Sequence, residues 1–193
     1  MKMNWAIITA IAALAAVIAA CASPKPDNKA SLEAIKAVPV KTLEENQRDF
    51  VELRYGMFIH FGILTYTGTW SQKNLDISKF NPEKLDCKQW ADAALAAGMK
   101  FGVLTTKHHD GFALWPTETD DFSVKSIPWR GGKGDVVREY VDAFRARGLL
   151  PGLYYSVWDN TKGIGNRPVS EADIVYVENQ LRELLTNYGP IPV

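Results

Sequence analysis

Three apolar stretches, at residues 57–61, 101–106 and 149–156, are each bounded by turn residues and separated by long connections that hold capped, amphipathic helices. Chemistry-bearing side chains gather at the carboxyl end of each stretch: His60 at the first, Lys107, His108, His109 and Asp110 at the second, Tyr154, Tyr155, Ser156, Trp158 and Asp159 at the third. The repeat of strand, loop and helix predicts an α/β fold with parallel strands and right-handed crossovers. Ligand-type residues at every strand end favour a (β/α)8 TIM-like barrel over an open sheet. Such barrels need about 250 residues. Ile191 and Val193 read as the opening of a fourth strand, so about the first half of the barrel is expected in these 193 residues.

The elements follow in order. Lys2 precedes an apolar run at residues 6–20 that is short for the ~20 residues a bilayer crossing needs. Residues 1–20 therefore read as a signal peptide. Ile18-Ala19-Ala20-Cys21 resembles a lipobox, in which Cys21 becomes the lipid-bearing N-terminus. An ordinary signal peptide or an uncleaved anchor is the alternative. Residues 21–41, with Ser23, Pro24, Pro26 and Pro39, read as a tether, and residues 42–193 as the folded domain. Thr42 with Glu45 forms a capping box for a helix reaching about Arg54, and Gly56 ends it. Asp86 caps the next helix, with Gln89 placed to close a box, Leu85 and Trp90 at the staple positions, and Gly98 as the stop. Trp90 falls on the apolar face and reads as core. Asp135 caps a helix whose apolar side is Val137, Tyr140, Val141 and Phe144. The preceding Arg130-Gly-Gly-Lys-Gly-Asp135 lacks the ending of a phosphate loop and reads as loop plus cap. Ser170 with Asp173 starts a last helix through Tyr188, with Ile174, Val177, Leu181, Leu184 and Leu185 as its expected buried stripe.

Composition narrows the function classes. The formal net charge is zero, so no basic excess supports nucleic-acid binding. Two cysteines cannot build a disulfide framework. Lipidation of Cys21 leaves Cys87 at a helix start, where a partly buried small residue is the plain reading.

Four ionisable groups at one strand end are costly to place in a plain core. His108 and His109 are adjacent, so in an extended backbone their rings point to opposite faces. That geometry suits contacts to different hydroxyls of a polyol better than two ligands on one metal. Imidazoles, tyrosines and tryptophans together suit a sugar, with polar edges for hydroxyls and aromatic faces for C–H surface. Two alternatives stand beside this. One is a metal-dependent hydrolase using His60, His108 or its neighbour, and Asp110. The other is a lipid-anchored sugar-binding protein without catalysis.

Four ordered motifs then carry a resemblance: Arg54-Tyr-Gly-Met-Phe-Ile-His60-Phe-Gly62; Phe80-Asn-Pro-Glu-Lys-Leu-Asp86 with Trp90; Lys107-His-His-Asp-Gly-Phe112 with Leu114-Trp115; and Gly152-Leu-Tyr-Tyr-Ser156. From about Phe50 onward the chain resembles the bacterial α-L-fucosidases of glycoside hydrolase family 29. The resemblance implies a retaining exo-glycosidase on a (β/α)8-like barrel, without cofactor, acting on fucosylated glycans. It implies that His60, His108 and His109 hydrogen-bond fucose hydroxyls and that Tyr154 lies near the reacting carbon. Trp70 falls near a Glu-Trp pair that lines the family's sugar pocket, although Thr69 stands here where the glutamate would be. Trp115 and Trp158 are pocket walls or packing residues on equal terms. The nucleophile is expected just beyond Val193 and the acid/base further on, so no catalytic carboxylate is assigned within the chain. Asp110 is read as orienting the histidine loop. The expected location is the cell envelope, through a lipid anchor in the membrane. Expressed alone, the 193 residues are expected neither to hydrolyse fucosides, because the carboxylates are expected downstream, nor to fold stably, because Phe58, Val103 and Leu153 or their neighbours would lack an opposite wall.

Overall fold

The computed structural model describes residues 41–68 and 75–193. The leader, Cys21 with most of the tether, and Trp70 lie outside the described residues.

Helix α1 (Leu43–Leu53) opens on the expected capping box: Thr42 Oγ1 accepts from the Glu45 N–H, and the Glu45 carboxylate accepts from the Thr42 N–H. Strand β1 (Gly56–Ile59) stops one residue before His60. The short helix α2 (Leu64–Thr67) and a 3₁₀ turn (Ile77–Lys79) lead to α3 (Cys87–Ala96). Asp86 caps α3 by accepting from both Lys88 and Gln89 N–H groups. Strand β2 (Phe101–Lys107) follows, then 3₁₀ turns at Val124–Ser126 and Trp129–Gly132, then α4 (Val136–Arg145), capped by Asp135. The Arg130 loop is thus loop plus cap, as its sequence reads. Strand β3 (Leu150–Tyr155) and helix α5 (Glu171–Asn187), with its Ser170–Asp173 capping box, complete the order.

The strands form one parallel sheet in the order β1-β2-β3, with Gly56 beside Phe101 and Phe101 beside Leu150. A residue each way in register would move every side chain to the other face, so these pairings decide what reaches each strand end. One face of the sheet is covered by helices. Phe144 of α4 lies against Gly102, where a Cβ would come within 2.4 Å of its ring. The Tyr140 hydroxyl donates to Gly102 O at 2.6 Å and accepts from the Gly152 N–H at 3.3 Å, fastening α4 across β2 and β3. All four residues of the expected α4 stripe are buried, together with Val136 and Ala143. The opposite face is open: Phe58 is 52% exposed and its register partner Val103 is half-buried. Leu153, by contrast, pairs with the buried Leu104 and packs on the covered face, so the expectation that it lacks a wall does not hold. Residues 190–193 form no strand, but the Leu153 N–H donates to Val193 O at 3.2 Å.

Helix α5 departs from its expected stripe. Ile174 and Leu185 are exposed, Val177 and Leu181 half-buried, and the buried positions are Asp173, Gln180 and Leu184. The reason is that the inner face of α5 meets polar groups. Gln180 Oε1 accepts from the Tyr155 hydroxyl at 2.8 Å, Glu183 accepts from Trp115 Nε1 at 2.8 Å, and Tyr176 donates to Asp159 at 3.1 Å. Hydrophobic spacing marks a face for burial only where the neighbour is apolar.

Candidate active site

The site is assembled at the carboxyl ends of three adjacent parallel strands. His60 follows β1, His108 and His109 follow β2, and Tyr154 lies near the end of β3. Ring centroids of His60 and His108 are 5.8 Å apart, those of His108 and His109 4.3 Å, and Tyr154 stacks on His108 at 5.8 Å. Phe58 lies beneath, 4.4 Å from His60 and 5.6 Å from Tyr154. Of the sequence-predicted site residues, these four come together; Trp70 is outside the described residues.

Two consecutive threonines of β2 hold the neighbouring strands. Thr105 Oγ1 donates to Phe61 O at 3.0 Å and accepts from the Phe61 N–H, gripping the chain beside His60. Thr106 Oγ1 donates to Tyr154 O at 2.8 Å. Both threonines are buried. In the sequence they read only as β-branched strand residues, which carries no sign of this clamping role.

The expected divergence of His108 and His109 does not occur. β2 ends at Lys107, and the Gly111 N–H turns back to His108 O at 3.0 Å, so strand alternation stops before the pair. The rings stand side by side, His109 reaching Ser156 Oγ at 2.6 Å. Burial, with help from His109 and His60, pushes His108 down from 6.5 to about 4, so it is a neutral imidazole near neutral pH. A neutral imidazole offers one donor and one acceptor, which matches a polyol.

The other two ionisable residues of the motif are inside the protein. Lys107 is fully buried, its ammonium 2.8 Å from Asp159 and over the rings of Tyr155 and Tyr176 at 4.6 and 5.0 Å. Asp110 is buried and accepts from the Phe112 N–H at 2.8 Å, closing the loop that presents the histidines. The expectation that the four ionisable groups avoid the core therefore fails for two of them: Asp159, 52 residues away, balances Lys107, and the Phe112 N–H satisfies Asp110. The metal alternative loses its third donor, since Asp110 faces its own loop; among the described residues no three His, Cys, Asp or Glu groups converge. Trp115 is buried, with its N–H on Glu183, and is core. Trp158 is 43% exposed and lies 5.8 Å from His109, at the rim of the cluster. Cys87 is buried and pushed up to about 12, so it is a packing residue. Trp90 packs on the core against Phe61.

A family model described as alpha-L-fucosidase matches residues 66–193. The chain belongs to the alpha-L-fucosidase family. It is 40% identical over 166 residues to Alpha-L-fucosidase 1 of Arabidopsis thaliana, covering 85% of this chain and 32% of that protein. Among solved structures it is similar to a glycoside hydrolase 29 family member from an unknown rumen bacterium, at 46% identity and TM-score 0.70, over 79% of this chain and 27% of that one. It is also similar to alpha-L-fucosidase isoenzyme 1 of Paenibacillus thiaminolyticus, at 36% identity and TM-score 0.64, over 77% of this chain and 41% of that one. The chain spans about a third of the length of the curated relatives it matches. Its parallel α/β sheet matches the N-terminal portion of the barrel catalytic domains of glycoside hydrolase family 29 α-L-fucosidases. The histidine cluster thus sits at the carboxyl ends of the strands, the end of a barrel where active sites form.

Proposed function

We propose that this segment supplies the sugar-binding part of an α-L-fucosidase that removes terminal α-L-fucosyl residues from glycans by retaining exo-hydrolysis. The observation that carries the reading is the convergence of His60, His108, His109 and Tyr154 from three adjacent strand ends. Imidazole edges serve the sugar hydroxyls, and the faces of Phe58, Tyr154 and Trp158 serve its C–H surface. Asp110 and Asp159 are both engaged in internal hydrogen bonds, so neither is assigned to bond cleavage. Retaining chemistry uses two carboxyl groups about 5–5.5 Å apart; the nucleophile is expected just beyond Val193 and the acid/base further downstream.

The test uses the full-length enzyme carrying this segment, on aryl glycosides of L-fucose, D-galactose and L-rhamnose. The fucoside should be preferred. His60→Ala, His108→Ala and His109→Ala should each reduce kcat/KM by about 1–3 kcal/mol for a lost or stranded hydrogen bond, and by more where the bond tightens in the transition state. Near-normal kinetics for all three variants, or a preference for D-galactose, overturns the reading. Binding without turnover leads to the sugar-binding protein, and activity lost to a chelator and restored by one metal leads to the metal hydrolase.

Ile18-Ala19-Ala20-Cys21 supports a lipid anchor at Cys21 and a cell-envelope location. Several acyl chains anchor stably where one is marginal. Cys21→Ala should release the protein from membranes or block its processing; unchanged retention and processing refutes the anchor.

A further inference from the structure

The His109 ring is held by a short chain of hydrogen bonds with a fixed direction. Its Nδ1 lies 2.6 Å from Ser156 Oγ, and the same hydroxyl donates to the Trp158 carbonyl oxygen at 2.8 Å. A carbonyl oxygen only accepts, so the single hydroxyl proton of Ser156 is committed to Trp158. Ser156 Oγ then faces His109 with lone pairs alone. The 2.6 Å contact is a hydrogen bond only if Nδ1 carries the proton. A neutral imidazole has one N–H, which leaves Nε2 as a bare acceptor.

The backbone around this chain is fastened on both sides. The Ser156 N–H donates to Lys107 O at 3.0 Å, and the Asn160 N–H donates to His109 O at 2.9 Å. Between them, Asp159 and Ile164 exchange backbone bonds, and the Asp159 side chain is buried on Lys107. Ser156 is 3% exposed, so water has little room to take over either of its partners.

We propose that Ser156 is a positioning residue that fixes His109 as its Nδ1–H tautomer, so that Nε2 serves as the acceptor for one hydroxyl of the sugar. The second half rests on the reading of His109 as a fucose ligand. It gives that contact a direction: the sugar hydroxyl donates. A substrate analogue with hydrogen or fluorine at that carbon cannot donate, and both analogues should lose the same contact.

Two measurements on the full-length protein separate the halves. Long-range ¹H–¹⁵N correlation spectra of the histidine side chains read the tautomer without reference to activity. Wild-type His109 should show a protonated Nδ1 and a bare Nε2. Ser156→Ala should move it toward the other tautomer, and Ser156→Thr, which keeps the hydroxyl, should restore it. A protonated Nε2 in the wild type, or a tautomer indifferent to Ser156→Ala, overturns the assignment. Equilibrium binding is then measured for L-fucose and for its deoxy and deoxyfluoro forms at each ring hydroxyl in turn. Ser156→Ala should weaken fucose binding about tenfold, the scale of one well-placed hydrogen bond. For the analogues altered at the contacted hydroxyl, wild type and Ser156→Ala should bind alike. Equal weakening for every analogue refutes the acceptor role. If the wild type binds no fucose, the sugar reading itself fails, and the spectra still decide the role of Ser156.

Discussion

At the scale of single residues, the fully buried Lys107 has the largest consequence. Burial pushes its pKa down, and the Asp159 carboxylate opposes that shift. Burial would push Asp159 up, but Lys107, the Thr161 hydroxyl and the Lys162 N–H together hold it below its ordinary value. The Lys107 ammonium and the Asp159 carboxylate meet at 2.8 Å with both side chains wholly buried, so each depends on the other. Lys107→Met should cost about 3–5 kcal/mol, because it strands a buried carboxylate. The double variant Lys107→Met/Asp159→Asn should recover part of that loss in chemical denaturation of the full-length protein; a purely additive double variant contradicts the pairing. Gly111 shows how tightly the same aspartate is packed. It has φ +85°, and a Cβ there would lie 2.6 Å from Asp159 Oδ1. Gly111→Ala should lose about 1–2 kcal/mol to the left-handed backbone alone and more to the clash. Gly62→Ala, with nothing within 4 Å of its Cβ position, is the control and should shift the unfolding midpoint far less.

At the scale of elements, the end of α5 is tied to the start of α4. Asp135 accepts from the Arg138 N–H at 2.8 Å as the α4 cap, and its other oxygen accepts from the Tyr188 hydroxyl at 2.8 Å. Tyr188 is 3% exposed, so its hydroxyl depends on this partner. Asp135→Ala should lose the cap, worth about 0.5–2 kcal/mol, and strand the tyrosine hydroxyl for about 1–3 kcal/mol more. In Tyr188→Phe the hydroxyl is gone, so adding Asp135→Ala there should cost only the cap. Equal costs of Asp135→Ala in both backgrounds, read from unfolding midpoints, would show that the cap acts without Tyr188. The polar inner face of α5 belongs at this scale too. A seventeen-residue helix whose buried positions are Asp173, Gln180 and Leu184 is placed by hydrogen bonds as much as by apolar area.

At the scale of the whole molecule, two groups of the histidine loop oppose each other in the dependence of stability on pH. His108 falls from 6.5 to about 4, chiefly by burial, so between those values the folded form holds fewer protons than the unfolded form. Stability from this group rises with pH across that window. Asp110 rises from 3.8 to about 6, chiefly by burial with Asp159 nearby, so the folded form keeps a proton that the unfolded form has lost. Stability from this group falls with pH across its window. The windows overlap between about 4 and 6. Asp110→Asn removes the falling contribution, so Tm should climb more steeply with pH there than in the wild type. His108→Phe should make the same stretch flatter or descending. Identical slopes in all three proteins refute the assignment.

Local sequence was enough to determine the order of the three strands and the four longer helices, the caps at Thr42, Asp86, Asp135 and Ser170, the α4 stripe, and the strand ends where His60, His108, His109 and Tyr154 stand. Each depends on residues a few positions apart, where hydrophobic period and cap chemistry act directly. It missed the short helix α2 and placed a strand opening at Ile191 where none forms. Only the tertiary structure decided that Lys107 and Asp110 are internal, that His108 and His109 stand side by side, that α5 turns Gln180 inward, and that Thr105, Thr106 and Ser156 hold the site. Lys107 meets Asp159 across 52 residues and Thr105 meets Phe61 across 44. Which charges a core accepts, and which hydroxyl orients a histidine, depends on the partner that the parallel register brings alongside, and no local pattern names that partner.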